Sequence, residues 1–245
     1  MKNIYDNEKF FEKYSQMNRS VKGLAGAGEW STLRALLPDF SNKTVLDLGC
    51  GYGWHDRYAI DNGARRVYGV DMSEKMLAVA KEKTHSDRIT YLHDDISKIV
   101  FEDNKFDVVI SSLALHYIAS FDEIVKRINK YLKPAGTFIF SVEHPIFTAQ
   151  GSEEWNYNDD GQIKDFPVDN YFYEGKRESD FLGEKVVKYH KTLTTYLDGL
   201  LTNGFRIDRV VEPMPPKNMM DIPGMKDEMR RPMMLIVSAT NNKKF

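Results

Sequence analysis

Three glycines, each separated by a single residue, follow a short apolar run: Gly49, Gly51 and Gly53 in the stretch VLDLGCGYGWHDRYA. A glycine-rich turn between a strand and a helix lets the backbone approach a ligand closely and presents free N–H groups to it. The dinucleotide-binding version of this turn has the spacing Gly-x-Gly-x-x-Gly. Trp54 occupies the third glycine position here, so the pattern predicts a ligand that lacks a pyrophosphate.

Two acids flank this turn at positions where a carboxylate can bind a ligand. Asp47 lies two residues before Gly49 and suits a positively charged group, such as an amino-acid ammonium, held directly or through water. Asp71 follows Gly51 by 20 residues and ends the next apolar run, which is the spacing at which an acid accepts hydrogen bonds from ribose hydroxyls. The alternative for Asp71 is an N-cap, a task for which Ser73 is also available.

Four further residues are candidates for acid–base chemistry: His116, Glu143, His144 and His190. Histidine titrates near neutral pH and is the side chain most often used as a general base. A packing role is the alternative for His116, a structural turn before Pro145 for Glu143 and His144, and a surface or core position for His190.

An alternation of strands and helices must position these residues. Apolar runs at 44–49, 66–71, 88–95, 106–112 and 136–143 predict strands, and helical patterns at 54–63, 73–83 and 121–134 separate most of them. Two more strands are expected at 205–212 and 231–240. The fold class predicted is α/β: a Rossmann-like, doubly wound sheet of seven strands, mostly parallel with an antiparallel last strand, and helices on both faces.

The domain prediction is a single domain over residues 1–245 with four segments. A helical cap covers 1–40, a ligand-binding half covers 41–143, an aromatic-rich insertion covers 144–191, and the end of the sheet covers 192–245. The insertion is expected to act as a lid over the substrate, because loops at this edge carry specificity. Tyr171, Phe172 and Tyr173 within it either line an apolar pocket or cage a cationic amine, or else they form a small satellite core or a dimer contact.

Bulk composition excludes several classes of protein. Lysine and arginine total 34 against 36 acids, whereas nucleic-acid binders usually show a basic excess. No apolar stretch approaches a membrane span, and the single cysteine permits no intrachain disulfide. The sequence therefore predicts a cytoplasmic protein that binds neither nucleic acid nor membrane, needs no metal, and is a monomer or homodimer.

Four motifs in order resemble the class I S-adenosylmethionine-dependent methyltransferases, of the small-molecule, methyltransferase type 11-like kind. They are Asp47-x-Gly49-x-Gly51-x-Gly53, GVDMSEKML, HDDISKIVFEDNKFDVVISSLALHYI and YLKPAGTFIFS. The close resemblance spans about residues 41–143. It implies S-adenosylmethionine as the cofactor and S-adenosylhomocysteine as the product.

The resemblance also implies roles for individual residues. Asp71 would bind the ribose, Met72 would lie beside the adenine, and Asp95, favoured over Asp94 by its register with Phe106-Asp107, would accept from the adenine amino group. Ser111 would lie under the methionine part, unless it is a plain turn serine. The full set of cofactor-binding residues expected is Tyr14, Arg19, Asp47, Gly49, Cys50, Gly51, Gly53, Trp54, Asp71, Met72, Met76, Asp95, Ile96 and Ser111.

The function expected from the resemblance is methyl transfer to a small-molecule acceptor by in-line displacement, at an oxygen, nitrogen or carbon atom. The alternatives are a methyltransferase that acts on RNA or protein, and a non-catalytic protein that binds S-adenosylmethionine. The stretch after the fourth strand reads SSLA rather than the Asn/Asp-Pro-Pro-aromatic motif frequent in nucleic-acid amino methylases, which favours a small molecule.

Overall fold

A seven-stranded sheet organises the chain, whose computed structural model describes residues 3–243. Residues 1, 2, 244 and 245, which belong to the predicted segments 1–40 and 192–245, lie outside the described residues. The strands are β1 Thr44–Leu48, β2 Arg66–Asp71, β3 Ile89–His93, β4 Phe106–Ser112, β5 Leu132–Glu143, β6 Asn156–Tyr157, β7 Ile163–Asp165, β8 Gly175–Phe181, β9 Glu184–His190, β10 Phe205–Val211 and β11 Met234–Asn241. The helices are α1 Glu8–Ser15, α2 Asn18–Lys22, α3 Trp30–Leu36, α4 Trp54–Asp61, α5 Glu74–Glu82, α6 Phe121–Tyr131, α7 Pro145–Thr148 and α8 Leu193–Thr202.

The strand order of the main sheet is β10-β11-β5-β4-β1-β2-β3. Both antiparallel pairings involve β11, and the other neighbours pair in parallel. The predicted seven-stranded fold with an antiparallel last strand is confirmed. The order reverses between β1 and β4, and ligands of doubly wound sheets bind at the carboxyl ends of the strands beside such a switch point.

Helices cover both faces of this sheet. On one face α6 and α8 bury Ile124, Ile128 and Leu200 against β4 and β5. On the other face α3 and α4 bury Leu33 and Ile60 against β1 and β2. All five residues of β1 are buried, as expected of a central parallel strand that is covered on both sides.

The start of α5 and the end of α6 are both set by residues next to them in the sequence. Ser73 caps α5 by accepting a hydrogen bond from the Met76 N–H, at 3.1 Å, as the sequence predicted. Helix α6 was predicted to continue to Pro134 but ends at Tyr131, and β5 begins at Leu132. Proline disfavours helical backbone in the residue before it, so the chain turns into the strand ahead of Pro134.

The insertion at 144–191 forms a structure of its own. It contains the one-turn helix α7 and two antiparallel hairpins, β6–β7 and β8–β9, which do not pair with the main sheet. These hairpins therefore interrupt the alternation of strands and helices that builds the main sheet.

Candidate active site

The glycine turn is held between two neighbouring strands. The N–H groups of Gly49 and Cys50 both donate to the Val70 carbonyl, at 2.8 and 3.0 Å. Gly49, Gly51 and Gly53 all have positive φ, at 83°, 53° and 70°, where side chains are strained. A side chain at Gly49 would also collide with Ala114, whereas one at Gly51 would meet no atom within 4 Å. Gly51 therefore presents bare backbone to open space, as a ligand cradle requires.

Two glycine substitutions separate the packing role of this turn from its binding role. Gly53→Ala puts a Cβ onto the Tyr91 hydroxyl, so we expect a lower melting temperature. Gly51→Ala meets no neighbour, so we expect about 1–2 kcal/mol of backbone strain and a folded protein that binds the cofactor poorly. Thermal denaturation and titration calorimetry of both variants check this; equal binding by Gly51→Ala and wild type would contradict the cradle.

Asp71 lies where the sequence analysis placed it, at the end of β2 beside the cradle. Its carboxylate accepts hydrogen bonds from the Gly51 N–H at 2.8 Å and the Ser73 N–H at 2.9 Å. Burial raises the pKa of Asp71 in spite of these donors. Ser73 provides the side-chain N-cap of α5, so the Asp71 carboxylate is not needed as the cap and can hold the glycine turn. Of the residues expected beside the adenine, Met72 is 43% exposed and Met76 is buried.

A pocket of about 80 Å³ opens beside the turn. The predicted residues that line it are Tyr14, Arg19, Gly49, Cys50, Gly51 and Trp54. Sequence reasoning missed the other lining residues, Ser20, Gly23, Leu24, Ala27, Glu29, Tyr52, His55 and Ser112. The loop KGLAGAG, residues 22–28, has no strand before it among the described residues, yet its Gly23 closes the pocket against the Trp54 ring.

Glu29, which lines this pocket, has a cationic partner, whereas Asp47, which lies outside its lining, has none in the part of the chain that the structure describes. Arg19 donates to both carboxylate oxygens of Glu29, at 2.7 and 2.9 Å. Asp47 is 1% exposed, and neither of its oxygens has a hydrogen-bond partner among residues 3–243. A buried carboxylate without a donor is costly. Its position in β1, just before the turn, fits a ligand that brings a positive charge.

The remaining predicted residues have the following places. Asp95 accepts from the N–H and hydroxyl of Ser97 and pairs with Lys98, and Ile96 is buried beside it. The Ser111 hydroxyl donates to the Leu48 carbonyl and braces β4 against β1. The next residue, Ser112, lines the pocket instead. The adenine role of Asp95 and the methionine-side role of Ser111 stay predictions.

The N-terminal segment covers the site, through contacts that local sequence patterns do not reveal. Asp6 accepts from the Ser73 hydroxyl at 2.7 Å. The Tyr5 and Tyr117 hydroxyls lie 3.0 Å apart, and the Tyr5 ring meets Tyr14 edge-on. Phe10, the buried residue of α1, packs against Phe181 of the β8–β9 hairpin. The cap and the insertion thus form one roof.

His116 and Glu143 come together at the ends of β4 and β5. The Glu143 N–H donates to His116 Nδ1 over 3.5 Å. Burial lowers the pKa of His116 to about 4, so the ring is neutral at pH 7. Its Nε2 makes no hydrogen bond within residues 3–243. His116 and Glu143 are both catalytic candidates. The Nε2 atom of His116 is therefore free to bind a ligand.

Glu143 also belongs to a buried charge cluster that sequence reasoning missed. Lys188 on β9 is 2% exposed and donates to Glu143 and to Glu153, each at 2.7 Å. Burial opposes ionisation of Glu143, but the neighbouring His116 ring and the Lys188 ammonium hold its pKa below the usual value. Burial and the Glu143 charge raise the pKa of Glu153 to about 8. The cluster thus holds its proton on Glu153.

The two other candidate histidines are engaged in contacts within the fold. His144 caps α7 by accepting the Ile146 N–H at 3.1 Å, and its Nε2 lies 2.9 Å from a Glu212 carboxylate oxygen. His190 is contacted at both ring nitrogens, by the Thr148 hydroxyl and the Tyr171 carbonyl, each at 2.8 Å. Burial lowers the pKa of both imidazoles. These contacts favour positioning roles for His144 and His190.

The aromatic residues of the insertion divide between a satellite core and the surface. Arg231 lies over the rings of Phe147, Trp155 and Phe166, at 4.4 to 4.9 Å from their centroids. Phe172 and Tyr173 are 87% and 75% exposed. The insertion therefore has a satellite core made of Phe147, Trp155 and Phe166, and the exposed Phe172 and Tyr173 take no part in it. Within the described residues, no helix is long and apolar enough to cross a membrane and no group of three His, Cys, Asp or Glu side chains is arranged to hold a metal ion.

Comparison with known proteins assigns this geometry to a family. A family model described as a methyltransferase domain matches residues 46–140. A solved structure of a proposed S-adenosylmethionine-dependent methyltransferase from Listeria monocytogenes is 54% identical, with a TM-score of 0.86, over 90% of this chain and 100% of that one. An S-adenosylmethionine-dependent methyltransferase from Mesorhizobium loti is 41% identical, with a TM-score of 0.83, over 89% and 100%.

A relative with a named acceptor aligns over a shorter span. The malonyl-[acyl-carrier protein] O-methyltransferase of Pectobacterium atrosepticum is 30% identical over 152 residues, which are 62% of this chain and 56% of that protein. The orphaned Asp47 carboxylate and the bare backbone at Gly51 fit the amino-acid end of S-adenosylmethionine. The chain is an enzyme of the class I S-adenosylmethionine-dependent methyltransferase family, and S-adenosylmethionine is its cofactor.

Proposed function

We propose that this enzyme methylates a small-molecule acceptor that binds beside His116 and Glu143. The observation that carries the proposal is the contact of the His116 ring with the backbone N–H of Glu143, under a closed roof. The roof is continuous, because Lys13 of α1 donates to the Leu182 carbonyl in the β8–β9 turn. A macromolecular acceptor would need an open groove to reach the same place.

The acceptor end adjoins the cofactor cradle through the segment that follows β4. Ser112 lines the pocket, and Ala114 abuts Gly49. His116 comes two residues later, and the hydroxyl of the next residue, Tyr117, lies 3.0 Å from the Tyr5 hydroxyl. An acceptor held by His116 therefore lies next to the cofactor, as in-line transfer requires.

The protein's contribution to the transfer is mainly orientation. S-adenosylmethionine supplies a methyl group that its positively charged sulfur already activates. Because Nδ1 of His116 accepts the Glu143 N–H, the ring proton belongs on Nε2, which can donate to an acceptor oxygen. One carboxylate oxygen of Glu143 is buried without a partner among the described residues and can accept the acceptor's X–H. With its lowered pKa, Glu143 orients this proton more than it removes it.

His116→Ala tests the acceptor role directly. We expect turnover to fall about a hundredfold, while affinity for S-adenosylhomocysteine changes less than about twofold, since the ring contacts the acceptor and not the cradle. Turnover is measured as S-adenosylhomocysteine formed from a metabolite filtrate, and affinity by calorimetry. His85→Ala, at an exposed position, is the matched control. Full turnover in His116→Ala would exclude this residue from the acceptor site.

A further inference from the structure

Two carboxyl groups are buried together beneath the glycine turn. Asp47 on β1 is 1% exposed and Asp56, in the first turn of α4, is 0% exposed. None of their four oxygens accepts a hydrogen bond from another described residue. The two carboxyls lie close enough for each to shift the pKa of the other, so a proton on one can be donated to the other. Such a pair is stable only if it retains a proton, because two unsolvated negative charges repel.

The sheet leaves space for the second of these carboxyls. Gly69 on β2 pairs in register with Asp47. A side chain at Gly69 would come within 2.7 Å of Asp56 Oδ2 and 3.0 Å of Cys50 Sγ. Because Gly69 on β2 has no side chain, it leaves the space that the Asp56 carboxyl occupies below the turn.

The groups that face this pair include one positive charge, the Arg57 guanidinium. Arg57 on α4 directs its guanidinium to the Tyr52 carbonyl at 2.8 Å and the Thr84 hydroxyl at 3.4 Å. Asp71 on β2 adds a negative charge, and burial raises the pKa values of Cys50 in the turn and Tyr91 on β3, so both stay neutral. Burial places the pKa of Asp56 at about 7, although Arg57 opposes this, and burial with the Asp56 charge puts that of Asp47 well above its usual value.

We propose that Asp47 and Asp56 act as one proton-sharing pair toward the ammonium group of S-adenosylmethionine, and that cofactor binding expels one of the pair's protons to solvent. In the free enzyme below neutral pH both carboxyls are protonated and the pair is neutral. With the ammonium bound, the pair keeps one shared proton and one negative charge, which balances the ligand's positive charge. Proton release couples affinity to pH, so binding strengthens as pH rises toward 7.

Calorimetric titration with S-adenosylhomocysteine tests this, because that ligand has the same amino-acid end without the sulfonium charge. Heats are measured at pH 6 and 7, where an α-amino group is protonated, in two buffers of different ionisation enthalpy. His55 in the same pocket stays neutral there, because burial lowers its pKa to about 4. For the wild type we expect release of roughly nine-tenths of a proton at pH 6, less at pH 7, and affinity rising several-fold between them.

Asp56→Asn removes the titrating partner but keeps the shape, and its amide can donate to an ionised Asp47. We expect no proton release and no pH dependence from this variant beyond what other groups contribute. Asp61→Asn, at an exposed position of the same helix, should behave as wild type. A difference infrared spectrum of the wild type should also lose a protonated-carboxyl band when S-adenosylhomocysteine binds. Equal wild-type heats in both buffers with no lost band, or equal release by Asp56→Asn and wild type, would overturn the proposal.

Discussion

Replacing Asp71 by alanine is expected to abolish cofactor binding. The carboxylate lies beside the cradle and fixes the Gly51 N–H, and the resemblance to the family predicts that it also binds the ribose hydroxyls. Hydrogen bonds to a charged group contribute about 1.5–3 kcal/mol each, so loss of two of them lowers affinity at least about a hundredfold. Titration calorimetry with S-adenosylhomocysteine measures the effect.

The control for this variant is Asp87→Ala, which removes an exposed acid between α5 and β3. It should bind S-adenosylhomocysteine as the wild type does. Unchanged binding by Asp71→Ala, with the control also unchanged, would remove the ribose role from Asp71.

Replacing Lys188 by methionine is expected to cause the largest loss of stability. Its ammonium is buried between Glu143 and Glu153, and methionine keeps much of the volume while leaving two carboxyls without a cation. Removing one partner of a buried ion pair costs about 3–5 kcal/mol. Denaturant unfolding at pH 8 measures this. Lys176→Met, which breaks the exposed pair with Glu178 on β8, should change stability by less than about 1 kcal/mol.

The loss in Lys188→Met should shrink at low pH. In the wild type the pKa of Glu153 is raised from 4.5 to about 8. The folded state therefore holds a proton that the unfolded chain loses above pH 4.5, and this contribution to stability declines as pH rises from 4.5 through 8. Without Lys188 both carboxyls must be protonated, so the variant's deficit at pH 8 should exceed that at pH 5. An equal deficit at both pH values would show that the cluster's charges do not control its stability.

The sheet and the cofactor cradle were predictable because their signals are local. An apolar run, Gly49 to Gly53 and Asp71 lie within one β–α–β unit, and the cap at Ser73 needs only its own helix. Trp54 lines the pocket beside the turn, and its position in the spacing rules out the third glycine of a dinucleotide site, but its role in cofactor binding stays a prediction.

The roof and the charge cluster were not predictable, because their partners are far apart in the sequence. Asp6 meets Ser73, and Tyr5 meets Tyr117, without any shared periodicity. Nothing in the sequence around Lys188 indicates that this charged residue of β9 is buried, yet its ammonium is buried against Glu143. The histidines were indistinguishable by residue type alone. Only the hydrogen bonds separate His116, with a free nitrogen, from His190, whose two nitrogens are both engaged.

Transfer of a labelled methyl group tests the central claim most directly. The enzyme is incubated with methyl-labelled S-adenosylmethionine and either the low-molecular-weight filtrate or the macromolecular retentate of a cell extract, and labelled products are identified by mass spectrometry. The closed roof predicts label in a small molecule from the filtrate, with none appearing in the Asp71→Ala enzyme. Label confined to protein or RNA in the retentate would contradict a small-molecule acceptor.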